Sequence, residues 1–202
     1  INDATVSFRD GGFQFGDGLF ETIRFKNQNL FLPENHLQRL RNGLKSLDLK
    51  LDKSDIELIQ ILNKLIHQNE IHSGLLRLMI TRGEITGTPW SHNGEPGIYI
   101  SIRPITPTPE LSVKVVYLEE ANYPIIRFNP AIKSMNYIGN MKAKKDAESL
   151  GAYEPVFYNS DRVITECAIR NVFYIKDEVL LTPCLDLGVL PGVMRSTIIN
   201  IA

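Results

Sequence analysis

The chain has 202 residues, 43% hydrophobic and 22% charged, enough for one large domain or two small ones around a real core. Lys and Arg number 22 against 23 Asp and Glu, which excludes a general pull toward nucleic acid or anionic membrane and leaves any anion to a local site. Two cysteines, Cys167 and Cys184, exclude a disulfide framework and lack metal-ligand spacing, and no apolar run nears the ~20 residues that span a bilayer, so a cytoplasmic protein without a metal site is expected.

In chain order, residues 4–8 and 18–26 are predicted strands joined by the turn Asp10-Gly11-Gly12. Pro33-Glu34-Asn35 opens a helix with a proline and an acid in its first turn. Leu37, Leu40, Leu44 and Leu47 give it one apolar stripe to lay on a sheet. Ser54-Asp55 starts a second helix striped by Ile56, Ile59, Leu62 and Ile66, and buried strands follow over 75–81 and 97–103. This β-β-α-α-β-β order describes an α+β half-domain. Three prolines at alternate positions in Pro104–Pro109 predict a stiff, extended linker, which divides the chain into 1–104, a linker over 105–109, and 110–202.

Past the linker the pattern predicts a strand over 112–119, an irregular stretch through Pro124 and Pro130, and a helix over about 137–150 closed by Gly151. Strands at 154–158, 171–176 and 178–182 follow, with turns at Asp161-Arg162 and Lys176-Asp177. Glu166 is placed in a short loop between strands. A last helix is just beginning over Arg195 to Ala202, after Pro191-Gly192. Its apolar side chains would lack a partner layer, so the second domain is expected to be incomplete at its C-terminal end.

Four histidines, His36, His67, His72 and His92, form no HExxH pair, and no nucleophile elbow, Walker loop or GxGxxG fingerprint occurs. Lys133 lies between a proline-containing stretch and a helix, flanked by apolar Ala131-Ile132. A lysine withdrawn from water loses its preference for the ammonium form and becomes a nucleophile, whereas a surface lysine merely lays its stem over apolar neighbours. Glu166, among small residues, serves either a buried cationic ring or a solvated turn. Arg39 either binds an anion or pairs with Glu34 or Asn35. Leu190-Pro191-Gly192-Val193-Met194-Arg195 opens a helix whose N–H groups and dipole favour an anion.

These weak signals fall in an order that resembles the fold-type IV pyridoxal-phosphate enzymes, the class-IV aminotransferase family of branched-chain and D-amino acid aminotransferases and aminodeoxychorismate lyase. Gly16-Asp17-Gly18-Leu19-Phe20-Glu21-Thr22-Ile23-Arg24 is similar to the family's N-terminal strand motif, and His36-Leu37-Gln38-Arg39-Leu40 to its phosphate-arginine helix. Ile132-Lys133-Ser134-Met135-Asn136-Tyr137, then Asn140 and Ala143-Lys144, resembles its lysine motif and the helix after it, Thr165-Glu166-Cys167-Ala168-Ile169-Arg170-Asn171-Val172-Phe173 its glutamate motif, and Thr182-Pro183 through Leu190 to Arg195 its closing phosphate loop.

The resemblance implies a two-domain α+β or α/β fold, a small N-terminal α/β domain followed by a larger, mostly-β cofactor domain. It implies pyridoxal 5'-phosphate as cofactor, held by Lys133 as a Schiff base. Glu166 would face the pyridine nitrogen and Tyr137 the phenolic oxygen. Leu190 would pack on the ring, and Arg39 with the backbone at Gly192, Val193 and Met194 would hold the phosphate. A homodimer acting on a small amino substrate is implied as well, with no nucleic-acid or membrane partner. Met194 stands where many transaminases have threonine, and no Arg-x-His carboxylate trap is evident in Arg82 to Gly87. Those departures favour 4-amino-4-deoxychorismate lyase, which releases pyruvate and forms 4-aminobenzoate. The alternatives are a transaminase using 2-oxoglutarate and a non-catalytic homologue.

Overall fold

Strand β1 (Gly18–Lys26) is buried on both faces over its first four residues, so it cannot be a surface strand with one wet side. The structure, a computed structural model, describes residues 4–90, 94–105 and 109–202. Most of the expected linker, and His92, therefore lie outside the described residues. The chain divides into two units: Ile1–Thr106 with Ile132–Met135, and Pro107–Ala131 with Asn136–Ala202.

In the first unit, β1 joins β2 (Asn29–Leu30), β3 (Ser73–Thr81) and β4 (Gly97–Arg103) in an antiparallel sheet of order β2-β1-β3-β4. Alternation puts Leu19, Ile23 and Phe25 on the same face as Leu76, Leu78 and Ile80, all nearly inaccessible to water. Helix α2 (Pro33–Ser46) covers that face with Leu37, Leu40 and Leu44, and helix α3 (Asp55–Gln68) adds Leu58, Leu62 and Ile66. Ser54 caps α3 through a capping box, accepting from the Glu57 N–H while the Glu57 carboxylate accepts from the Ser54 N–H.

Three expectations fail in this unit. The described part of 4–8 forms no strand, and Gly11–Phe15 is a short helix, α1, where a turn was expected. Buried Asp10 explains the helix. One of its carboxylate oxygens accepts from the N–H groups of Gly12 and Phe13 at 2.7 and 3.2 Å. The other accepts from the Thr81 and Tyr99 hydroxyls at 2.7 and 2.9 Å, so the cap is tied to the sheet. Ile56, expected in the stripe of α3, is 70% exposed, while Leu58 is fully buried. At ~100° per residue Ile56 lies roughly 200° around the helix from Leu58, and the Leu58-Leu62-Ile66 row wins the sheet.

The second unit opens with β5 (Val115–Glu119), parallel to β6 (Glu154–Tyr158), which runs antiparallel to β7 (Ile164–Cys167). Parallel neighbours need a long crossover. Here it comprises a 3-10 turn at Glu120–Asn122, the irregular stretch, and helix α4 (Ile138–Ser149). Ala143, Phe157 and Ala168 form a small core with Leu118, Tyr123 and Ile125 around it. A hairpin of β8 (Tyr174–Lys176) and β9 (Val179–Leu181) turns at Asp177 and Glu178, both at positive φ as a tight hairpin requires. Helix α5 (Val193–Ile201) ends the described chain.

Several boundaries shift from the sequence-based expectation. The strand over 112–119 begins at Val115, those over 171–176 and 178–182 shrink to three residues each, and the last helix starts at Val193. Glu166 is not in a loop; it lies on β7, a strand too short and polar to show a period.

The packing of α3 makes a paired prediction. Leu58→Ala should lower stability by about 2–5 kcal/mol in denaturant unfolding, whereas Ile56→Ala should stay within about 0.5 kcal/mol. Equal losses would contradict the observed face.

Candidate active site

In the first unit the lysine segment is sewn onto β1. The Phe20 N–H donates to the Lys133 carbonyl at 3.0 Å and the Met135 N–H to the Gly18 carbonyl at 2.9 Å. Leu19 and Ser134 make an antiparallel bridge between these bonds. Gly18 permits the approach, since a Cβ there would press on both the Ile80 carbonyl and the Met135 sulfur. The Lys133 ammonium lies 4.4 Å from the centre of the Phe20 ring, whose second cation, the Arg77 guanidinium, is at 4.7 Å.

Glu21, the next residue of β1, points the other way and is fully buried. Helix α2 answers its charge. Arg39 donates through Nε at 2.8 Å to one carboxylate oxygen and through a terminal nitrogen at 2.6 Å to the other. His36 Nδ1 sits 2.8 Å from the same carboxylate. Burial alone would raise the Glu21 carboxyl, but the Arg39 and His36 contacts outweigh it and hold the group below its ordinary value. Arg39 thus pairs with a strand carboxylate 18 residues earlier, a partner that the spacing along α2 does not suggest.

The second unit contains the remaining expected residues. Tyr137 is the N-cap residue of α4, and Asn140 on that helix donates to the Ala168 carbonyl at 2.8 Å. Glu166 on β7 accepts from Arg127 at one oxygen and from the Leu190 N–H at the other, at 3.3 Å. Asn171 donates to the Leu190 carbonyl, also at 3.3 Å, so two residues of the glutamate motif hold both polar backbone atoms of Leu190. Arg127 also pairs with Glu120, which accepts from the Thr165 hydroxyl. Cys167 beside Glu166 is buried, and burial is the main reason its thiol is pushed up to about 12, with Glu154 and Glu166 adding to the rise. It is an inert neighbour.

Gly192 is the buried N-cap of α5, and no side chain caps that helix. Its φ of −64° is ordinary, so flexibility does not explain glycine there. A Cβ would collide with the Asn171 side-chain oxygen. Val193 is buried and Met194 exposed in the first turn that follows. Sequence reasoning missed Glu21 as the partner of Arg39, missed Arg127 and Glu120 altogether, and gave Asn171 no role of its own. Arg127 lies in the irregular stretch, where no periodicity marks a buried side chain, and its partner Glu166 is 39 residues away. Among the described residues no cluster of three or more His, Cys, Asp or Glu could hold a metal, and no helix is long and apolar enough to cross a membrane.

The mixed α/β fold is that of the class IV aminotransferases, the fold-type IV pyridoxal-phosphate enzymes. The chain belongs to the amino-transferase class IV family, whose model matches residues 18–202. It is accordingly a pyridoxal-phosphate-dependent enzyme of that family. It is 34% identical over 207 residues to a D-alanine aminotransferase of Listeria monocytogenes, covering 99% of this chain and 70% of that protein. It is 33% identical over 204 residues to the aminodeoxychorismate lyase of Bacillus subtilis, covering 98% of this chain and 69% of that one. Among solved structures, a putative 4-amino-4-deoxychorismate lyase from Legionella pneumophila superposes with a TM-score of 0.88 at 23% identity, over 98% of this chain and 73% of that one, which speaks to the fold.

The Glu21 cluster predicts an acid dependence. A carboxyl held below its ordinary value of 4.5 contributes stability that is complete above that pH and is lost as pH falls through the lower, folded-state value. Glu21→Gln removes the buried charge that Arg39 and His36 meet and should cost about 3 kcal/mol at pH 7 by urea unfolding. The gap from the parent protein should narrow as pH falls below about 4. A gap constant from pH 7 to pH 3 would contradict the ion-pair account.

Proposed function

We propose that the enzyme eliminates pyruvate from 4-amino-4-deoxychorismate to give 4-aminobenzoate, with Lys133 as its catalytic lysine. The observation that carries the assignment is the fixation of Lys133. Its backbone is held along β1 by flanking hydrogen bonds while its amine projects over Phe20. A catalytic amine needs that constraint, because misplacement by an ångström slows proton transfer. A surface lysine does not.

The residues present fit pyridoxal phosphate. The uncapped start of α5, with Gly192 kept small by Asn171, offers backbone N–H groups at Val193 and Met194 to a phosphate. Glu166 is a held carboxylate of the kind that keeps a ring nitrogen protonated. Arg39, oriented by Glu21, is assigned to the phosphate as well, with Tyr137 on the phenolic oxygen and Leu190 against the ring. When bound, the cofactor supplies the electron sink for a carbanion next to the substrate's amine. Lys133 then takes the proton from the amine-bearing carbon and returns one to the three-carbon fragment leaving as pyruvate. Glu166 keeps its proton on the ring throughout.

Met194 supports the lyase over a transaminase: it brings no hydroxyl to the phosphate turn, where many transaminases of the family carry threonine. Amino transfer to a keto acid is the second reading, favoured by the 34% identity to a D-alanine aminotransferase. A homodimer in the cytoplasm belongs to the same proposal. It rests on the family resemblance and on the near-neutral composition, and light scattering of the loaded enzyme at twice the 22.9 kDa chain mass would support the dimer.

The deciding assay follows pyruvate release from aminodeoxychorismate without any keto acid. Release at a rate independent of added 2-oxoglutarate supports the lyase; turnover of L- or D-amino acids only with 2-oxoglutarate selects the transaminase. Lys133→Ala should lower turnover by about 10³-fold or more in whichever assay is active while leaving thermal unfolding near the parent value. Gly192→Ala should weaken cofactor binding by about tenfold, ~1.4 kcal/mol, measured by fluorescence titration. Full turnover by Lys133→Ala would end the assignment.

A further inference from the structure

The acid assigned to the cofactor's ring nitrogen does not stand alone in its unit. Arg127 donates to Glu166, and a guanidinium on that carboxylate competes with a second cation for the same charge. A lone Glu166–Arg127 pair would be neutral and would offer little to a protonated ring. Glu120 changes the count. It takes two nitrogens of Arg127, Nε at 3.3 Å and a terminal nitrogen in a shorter contact, and accepts from the Thr165 hydroxyl as well. The cluster then holds two carboxylates against one guanidinium, one negative charge in excess. All three charged side chains are largely withdrawn from solvent, so the excess is poorly screened.

We propose that Glu120 is a positioning residue that acts through Arg127, drawing the guanidinium's charge away so that Glu166 serves the ring nitrogen as an anion. This rests on the assignment of Glu166 to the ring nitrogen. Arg127 is the mechanical half of the device, because it fixes one oxygen of Glu166 while the Leu190 N–H fixes the other. Thr165, next to Glu166 on β7, donates to Glu120 and so ties the outer carboxylate to the strand that carries the inner one. Burial opposes the charge on Arg127, but both glutamates outweigh it and keep the guanidinium fully protonated. Two neighbouring ionisable groups leave this cluster's charge unchanged. Cys167 stays a neutral thiol, and buried Glu154 is matched by Arg170 and Lys144.

The test uses the full chain loaded with pyridoxal phosphate labelled with ¹⁵N at the ring nitrogen. The ¹⁵N chemical shift reports the ring proton directly, and a pH titration gives its midpoint without reference to turnover. Glu120→Gln should lower that midpoint by at least about one pH unit, a tenfold loss of proton affinity. Glu120→Asp, which keeps the charge, should restore most of it. Arg127→Gln should move the midpoint the opposite way, and it carries the test if Glu120→Gln does not fold. An unchanged midpoint in folded Glu120→Gln, or a lowered one in Arg127→Gln, overturns the proposal. Glu166→Gln separates the two levels. If it leaves the ring proton untouched, the assignment of Glu166 itself falls; if it removes the proton while Glu120→Gln has no effect, only the role of Glu120 falls.

Discussion

A carboxylate taken out of water costs several kcal/mol unless a cation and hydrogen-bond donors meet it, and this requirement arranges both units. Glu21 in the first and Glu154 in the second are almost wholly buried, and each is met by an arginine. In the first unit the answer comes from one helix face: His36 and Arg39 are three residues apart on α2 and therefore neighbours, both within reach of a single strand residue. That contact sets the register of α2 on β1. Leucine packing alone would tolerate a slip of the helix along the sheet, but a charged fork on a buried carboxylate does not.

Fixing β1 has a second effect, because a strand shows its neighbours to opposite faces. With Glu21 committed to the helices, Phe20 must face the other way, and that ring lies under the Lys133 amine. The same strand supplies the Gly18 carbonyl and Phe20 N–H that receive the lysine segment, so side chain and backbone placement share one origin. In the second unit the parallel pairing of β5 and β6 does comparable service. Its crossover must travel the length of the sheet, and the first part of that path carries Glu120 and Arg127 to Thr165 and Glu166 of β7.

What the sequence disclosed follows from which forces leave a local trace. Helices α2 and α3 were legible because their apolar residues repeat and because Pro33 and Ser54 mark their starts. The strands 18–26, 75–81 and 97–103 appeared as apolar runs for the same reason. Strand β7 was not legible: Ile164-Thr165-Glu166-Cys167 has no clean alternation, and its identity depends on pairing with β6. Helix α1 was lost to its glycines, since the residue that stabilises it, Asp10, does so with oxygens shared by Thr81 and Tyr99 far along the chain. The named site residues came from resemblance to a family pattern. The charges that hold two of them, Glu21 for Arg39 and Arg127 for Glu166, are long-range partners that no spacing announces.

The phosphate turn makes the same point about coupling. Leu190 gives its N–H to Glu166 and receives at its carbonyl the amide of Asn171, so this residue hangs between two residues of the glutamate motif. Two residues later, Gly192 has an ordinary φ and is required only because Asn171 already occupies the space of a side chain. The acid on β7 and the start of α5 are therefore positioned by one rigid connection. An enlargement at residue 192 would push on Asn171, loosen its hold on Leu190 and release one oxygen of Glu166. A change made at the phosphate end is thus felt at the ring end, with no movement of the sheet between them.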